Sequence, residues 1–334
     1  MHGCLLRGPR TNTPGMTINH KAHRVGVRDT VDLVALAPYL LGYQPDERLV
    51  FLVLESGRLH ATGAVELAAL AVPAEVEAAL DAVIGRLSQP LVMLCAWSED
   101  SELAWAALDL AQQSVGSHRV LDCVVVDADG WTSRTGRHGD RQSLQASPAV
   151  TEAVVAGYSV APSREAAVAV VQGPEGSLRQ ELEDLYRATE EVLVGRGESS
   201  WLPRALGLAR QARASQQPTR TQLAELGLLA GLEDVRERLW LEMSRRNAAA
   251  DLELWTRVVA QTPPTFAVGP LLVMGFAAWL SGEGALLVSC VERAEALDYD
   301  GWELDVLSGL NRGAVPPSTW EQARAAEVFG VRGC

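Results

Sequence analysis

Thr30–Leu54 reads TVDLVALAPYLLGYQPDERLVFLVL, and this stretch decides the architecture of the N-terminal half. An apolar run opens with Asp32 in its first turn, where a carboxylate suits free N–H groups and the helix dipole. Pro38 removes one helical donor and clashes with the carbonyl of Val34, which predicts a kink or an end there. Gly42 is suited to the left-handed cap of a tight return, and Pro45-Asp46 supplies a turn. Leu49–Leu54 then follows as an uninterrupted apolar run, the pattern of a strand buried on both faces.

Working outward, Ser56-Gly57 is a turn dipeptide, and Arg58–Leu67 reads as a hairpin partner or neighbour of that strand. Pro73 opens an expected helix to Leu87 with Val76, Leu80, Val83, Ile84 and Leu87 on one face. Leu91–Ala96 and Val120–Asp127 read as further buried strands around a helix at Glu99–Val115, and Gly130–Arg134 as the start of a short hairpin partner. Strand and helix alternating in this way predict an α/β domain with a mixed or mainly parallel sheet and flanking helices.

Beyond residue 147 the reading is helical. Ser147–Val171 carries two helical patterns parted by Gly157 and Pro162, and Pro174–Gly197 a longer one. From Trp201 onward no strand pattern is found. Helices are expected at Arg204–Arg213, Gln222–Leu229, Leu232–Arg246, Ala248–Ala260, Val268–Ser281, Ala285–Ala296 and Trp302–Asn311. Glu233 and Asp234 at the start of the Leu232–Arg246 segment, with Arg245 and Arg246 at its end, complement the helix dipole. The string GEGALLVSCVERAEALDY at 282–299 is similar to one tetratricopeptide-type helix, so the C-terminal domain is expected to be all-α and helical-repeat-like. The expected domains are a disordered basic leader at 1–28, an α/β domain at 29–172 and a helical domain at 173–334. Met16 is an alternative start of the chain.

Composition narrows the function. The chain has 334 residues, a net charge of −13 and 48% hydrophobic residues, values of a globular protein rather than a disordered one. The leader 1–28 holds five basic residues and no acid, so the remaining residues carry 24 basic against 42 acidic groups. Such a surface repels a polyanion, and nucleic acid is an unlikely partner. A single Lys against 28 Arg matches the codon bias of a GC-rich genome, or a use of Arg for phosphate. Five scattered cysteines form no CxxC pair and indicate neither a disulfide framework nor a zinc site, which suits a reducing cytoplasm. The apolar stretch 261–281 is broken by Pro263-Pro264 and Gly269-Pro270, leaving about a dozen continuous apolar residues where a membrane span needs ~20.

Several segments together resemble the actinobacterial family known as domain of unknown function 4192 (DUF4192). They are Asp32-Leu33-Val34, Pro38-Tyr39-Leu40-Leu41-Gly42-Tyr43, Pro45, Leu49-Val50, Leu121-Asp122, Gly130-Trp131 with Ser133, and Pro162–Glu165. A tail pattern at Gly282, Gly284, Ala285, Ala296-Leu297 and Pro316-Pro317 completes the resemblance over about 30–320. The departures concern polar groups: Arg48 stands where the family tends to have Ser, Ala64–Ala68 replaces an Arg-x-Asp-Leu-Pro string, and Arg134–Leu144 replaces a Cys-Cys-Pro segment. The chain is thus a divergent member by resemblance, retaining shape-setting residues more than chemical ones.

Candidate ligand contacts are Asp32, Tyr39, Trp131, Ser133 and Arg164, each with a structural alternative. The alternative for Asp32 is a role in the helix start alone, and for Tyr39 packing around the turn. Trp131 and Ser133 follow the third strand, where open α/β sheets often bind ligands, or they simply pack. Ser163 is a good N-cap, and Arg164 beside it is placed to hold an anion. The loop Ser133–Ser143 carries Arg134, Arg137, His138 and Arg141 and reads as a solvated surface or an acidic-partner contact. Gly195–Ser200 lacks the strand before it and the Lys of a phosphate loop. No metal spacing and no nucleophile elbow occur, so no catalytic residue, metal or cofactor is assigned. The expectation is a cytoplasmic, non-catalytic binding or scaffold protein using its helical domain for protein partners. The alternative is a nucleotide- or phosphate-binding protein or hydrolase with its site at the strand ends.

Overall fold

A computed structural model describes residues 16–20, 23–68, 81, 83–115, 119–214 and 217–330. The chain divides into two compact units, one of Met1–Leu40 with Asp46–Tyr158 and one of Leu41–Pro45 with Ser159–Cys334.

The first unit is built on a six-stranded mixed sheet. Its strands are β3 (Arg48–Glu55), β4 (Arg58–Glu66), β5 (Leu91–Trp97), β6 (Arg119–Val126), β7 (Gly130–Ser133) and β8 (His138–Asp140), in the order β4-β3-β5-β6-β7-β8. Only β5 and β6 run parallel, joined by helix α2 (Ser101–Val115); the other pairs are antiparallel, β3–β4, β6–β7 and β7–β8 as hairpins and β3–β5 between strands not adjacent in sequence. The unbroken apolar runs behave as expected: Leu49–Leu54 and Val92–Trp97 are buried on both faces. Helix α2 buries Ala104, Ala107, Leu108 and Ala111 on its sheet side, and the three alanines let it approach closely.

Two features of this unit differ from the sequence reading. The expected disordered leader contains a hairpin, β1 (Met16–His20) with β2 (His23–Val27), whose Val25 and Val27 are buried while Gly26 N donates to Glu152 at 2.7 Å. Residues 1–15 of that leader lie outside the described residues, as do most of the helix expected after Pro73. Helix α1 (Thr30–Leu41) carries Pro38 within it and runs one further turn to Gly42, whose φ of +80° stops it as the sequence reading expects of that glycine. The presumed loop after Ser133 folds into β8 and helix α3 (Arg141–Gln145), capped by Asp140 accepting from Ser143 N at 2.7 Å. Helix α4 (Pro148–Val155) closes the unit.

The second unit is helical throughout its described residues. It comprises α5 (Arg164–Val168), α6 (Gly176–Arg196), α7 (Trp201–Arg213), α8 (Arg220–Leu229), α9 (Glu233–Glu242), α10 (Ala248–Val259), α11 (Val268–Ser281), α12 (Gly284–Glu295), α13 (Trp302–Arg312) and α14 (Ser318–Gly330). Helix α11 is apolar all round and buried from Gly269 to Leu280, so it forms the centre about which α10, α12 and α13 pack. Phe276 on α11 stacks on Trp240 at 4.6 Å and meets Trp320 edge-on at 5.1 Å. Helix α9 ends at Glu242, three residues before Arg245, so the expected dipole pairing with Arg245 and Arg246 does not arise. Instead Trp320 Nε1 and Arg324 Nη1 on α14 donate to the Met243 carbonyl at 3.0 and 2.9 Å. Division at Tyr158–Ser159 precedes the expected 172/173 because α5 and the 3-10 turn Ala169–Gln172 pack on α12.

Candidate functional site

Three of the five sequence candidates share one network in the first unit. Asp32, 3% exposed, accepts at Oδ2 from Arg28 N (2.9 Å) and Nε (3.0 Å), and at Oδ1 from Arg28 Nη2 (3.0 Å) and Ser147 Oγ (2.6 Å). Burial pushes its carboxyl upward, but the Arg28 and Ser147 hydrogen bonds outweigh it and hold the group below the usual range. Four donors occupy the carboxylate, so its lone pairs are already spoken for. Ser147 caps α4 by accepting from Ala149 N at 3.1 Å, and Asp32 therefore ties the starts of α1 and α4 together.

Arg137 links this group to β7. Its guanidinium donates to Thr30 Oγ1 (3.2 Å) and Asp29 Oδ2 (3.4 Å), and lies 6.0 Å over the Trp131 ring. Its carbonyl accepts from Ser133 N at 2.7 Å. Trp131 is 7% exposed and donates to Ser143 Oγ at 3.0 Å; Ser133, 3% exposed, donates to Asp122 Oδ2 at 2.6 Å. Alternation along β7 puts Trp131 and Ser133 on one face, and both polar atoms end on neighbours of the same unit.

The other two candidates lie apart from this network. Tyr39 is half-buried near the end of α1. Arg164 belongs to the second unit, opening α5 behind the Ser163 cap, and donates from Nη2 to Glu292 Oε2 (3.3 Å) and Ser289 Oγ (3.4 Å). Burial raises the thiols of Cys95 and Cys123, the latter to about 11, so neither supplies a thiolate near neutral pH. Among the described residues no group of three His, Cys, Asp or Glu could hold a metal ion, and no helix is long and apolar enough to cross a membrane.

A cavity of about 360 Å³ opens in the second unit, at residues the sequence reading did not select. Three glycines line it: Gly227 and Gly231 at the end of α8, and Gly269 at the start of α11. A side chain at Gly227 would strike the Tyr186 hydroxyl, and one at Gly269 the carbonyl of Ala230, so only glycine permits these approaches. Leu228, Val268 and Leu297 give apolar walls, while Phe266 and Tyr299 give aromatic ones. Phe266 is braced by Tyr186, with ring centroids 5.1 Å apart.

Arg236 forms part of the lining, but its charge is consumed. Nε and Nη2 donate to Glu303 Oε1 at 3.0 and 2.6 Å, and Nη1 to the carbonyls of Ala230 and Gly231 at 3.1 and 2.8 Å. Tyr299 donates to the other carboxylate oxygen of Glu303 at 2.7 Å. Burial and that carboxylate push the Tyr299 phenol up to about 12. Burial raises Glu303, but the hydrogen bonds from Tyr299 and Arg236 prevail and lower it. Asp298 and Thr265 are exposed at the cavity, and no described residue pairs with the Asp298 carboxylate. What this arrangement offers chemically is an open recess of mixed lining, apolar and aromatic side chains beside backbone polar groups, with the exposed Asp298 carboxylate among its lining residues.

The signal in the sequence was the spacing of Gly227 and Gly231 and the Leu297-Asp298-Tyr299 end of a helix, where Gly is the usual cap residue. No curated protein and no solved structure matches the chain. A family model does match, that of the domain of unknown function (DUF4192), over residues 31–301. The chain belongs to the DUF4192 family.

Proposed function

We propose that this protein is a cytoplasmic, non-catalytic binding protein whose helical unit receives a protein partner. The observation that carries the reading is the cavity between α8, α11 and α12, apolar and aromatic in its walls and open at Thr265 and Asp298. Buried free thiols at Cys95, Cys123 and Cys290 accord with a reducing compartment. One Lys against 28 Arg accords with a GC-rich, actinobacterial genome. The competing reading, a nucleotide or phosphate site at the strand ends, would use Trp131, Ser133 and Arg164. It is less favoured because the polar atoms of all three are already bonded within their own units.

Site-specific photo-crosslinking in the native host tests the reading. A benzophenone side chain at Thr265 is expected to trap one protein, whereas one at the exposed Gln113 of α2 is not. Equal capture at both positions, or loss of capture only when a nucleotide is added, would argue for the alternative.

A further inference from the structure

Four described residues other than glycine adopt a positive φ, and two of them have a plain structural setting. Glu47 uses its carboxylate to accept from Ser98 Oγ at 2.8 and 2.9 Å. Ser56 forms the β3–β4 hairpin with Gly57, and Ala314 has no polar side chain to place. Asp298 is the one that lines the cavity. Its φ is +59°, and its N–H donates to the Glu295 carbonyl at 2.9 Å while the Tyr299 N–H reaches Ala294, so it stands at the left-handed cap of α12. Glycine is the residue that fits this cap without steric penalty. A carboxylate at a helix C-terminus also faces the negative end of the dipole. Among side-chain-bearing residues aspartate tolerates this backbone better than most, but the dipole of α12 opposes its charge, and its exposed carboxylate stands at the cavity with no described partner.

We infer that the cavity receives a basic side chain, an arginine or lysine of a partner polypeptide, with its charge on Asp298 and its stem against Leu228, Leu297 and the Phe266 and Tyr299 rings. This rests on the proposed role of the helical unit in binding a protein. A cation is attracted to the face of an aromatic ring, and the methylenes of an Arg or Lys stem pack on apolar walls. Arg236 does not oppose the cation, since Glu303 balances it and its donors point to Glu303, Ala230 and Gly231. The net charge of −13 attracts a basic segment at long range and disfavours an acidic one.

The test uses the full chain and acetylated, amidated alanine–leucine peptides with one central arginine, lysine, citrulline or glutamate. Methyl and amide NMR shifts of Leu228, Leu297, Gly231 and Gly269 report the cavity directly. Arginine and lysine peptides are expected to shift these signals, with citrulline and glutamate at least about tenfold weaker, as loss of a charge-assisted contact implies. Asp298→Asn keeps a residue that tolerates the left-handed conformation and is expected to remove the preference for cations. Thr265→Trp, at an exposed position, is expected to block the peptides without requiring any change at Asp298. If all four peptides bind the cavity equally and Asp298→Asn changes nothing, the cation inference is overturned while the protein-binding reading stands. If arginine methyl ester binds as tightly as the arginine peptide, the occupant is a small amine and the inference fails. If no peptide moves these signals, the inference is overturned, and crosslinking at Thr265 alone decides the broader reading.

Discussion

At the residue scale, two carboxylates of the helical unit stand where their charge costs the fold stability. Asp298 sits in a left-handed cap, a conformation that costs an L-residue roughly 1–2 kcal/mol and glycine almost nothing. Asp298→Gly is therefore expected to stabilise the protein by about 1 kcal/mol, measured by chemical denaturation, while it weakens binding of an arginine peptide. Unchanged or lower stability would remove the argument that this carboxylate is kept for a ligand. Asp251 is fully buried on α10, accepts from Arg213 Nε at 2.7 Å, and has no described partner for Oδ2. Burial raises its carboxyl, Arg213 counteracts this in part, and Glu242 adds to the rise. The folded state thus holds this proton more tightly than the unfolded chain, whose value is near 3.8. Its contribution to stability is complete below that value and is withdrawn as pH climbs through the higher folded value. Asp32 and Glu303 act in the opposite sense, since each is held low, and their contributions are lost as pH falls. Asp251→Asn should flatten the descending part of the stability profile above pH 3.8 and leave the acid limb in place, as denaturant midpoints at stepped pH would show.

At the element scale, the parts of the fold legible in the sequence were those with long, uniform patterns. Leu49–Leu54 and Leu91–Ala96 announce strands buried on both faces, and the fully apolar α11 announces a central helix. Short or locally overridden elements were not legible. Strand β8 has three residues, His138-Gly139-Asp140, too few to show any period, and it exists through its register with β7. Helix α9 stops early because Met243 turns to an extended conformation and its carbonyl is taken by Trp320 and Arg324, contacts far away in sequence. Pro38 interrupts the donor ladder without ending α1, because tertiary burial of Leu33 to Ala37 holds the helix together as far as Gly42, the stop the sequence indicates. Replacing the proline restores the donor that the Val34 carbonyl lacks, so Pro38→Ala is expected to raise stability by about 1–3 kcal/mol. A fall in the thermal midpoint would mean that the ring itself is packed for a purpose. Gly269→Ala should do the reverse. Its new methyl would meet the Ala230 carbonyl, a backbone atom that cannot swing aside, and a loss of about 3 kcal/mol or more is expected in the same assay.

At the scale of the whole molecule, the PYLLGY motif turns out to be where the chain passes between its units. Leu41–Pro45 belongs to the helical unit, where Gln44 N donates to the Ala161 carbonyl and Ala161 N to the Gly42 carbonyl, both at 2.9 Å. Tyr43 is 3% exposed there. No reading of local periodicity could assign these five residues to the C-terminal unit, because their partner lies more than a hundred residues away. Tyr43→Ala is expected to cost about 3 kcal/mol or more and to speed amide exchange around Ala161 in the helical unit, with the β3–β5–β6 core less affected. The candidate site was less legible than the fold for a related reason. Its floor, walls and charge come from α8, α11 and α12 and the turn before α11, each contributing ordinary residues whose meaning arises only together. The residues that looked chemical in the sequence, Asp32, Trp131 and Ser133, have their polar atoms bonded inside the first unit. The most direct test of this assignment is amide exchange of the full chain with and without an arginine-bearing peptide. Protection confined to residues 227–231, 265–269 and 297–299, and absent in Asp298→Asn, is the result expected; protection at β7 and the start of α1 instead would contradict the account.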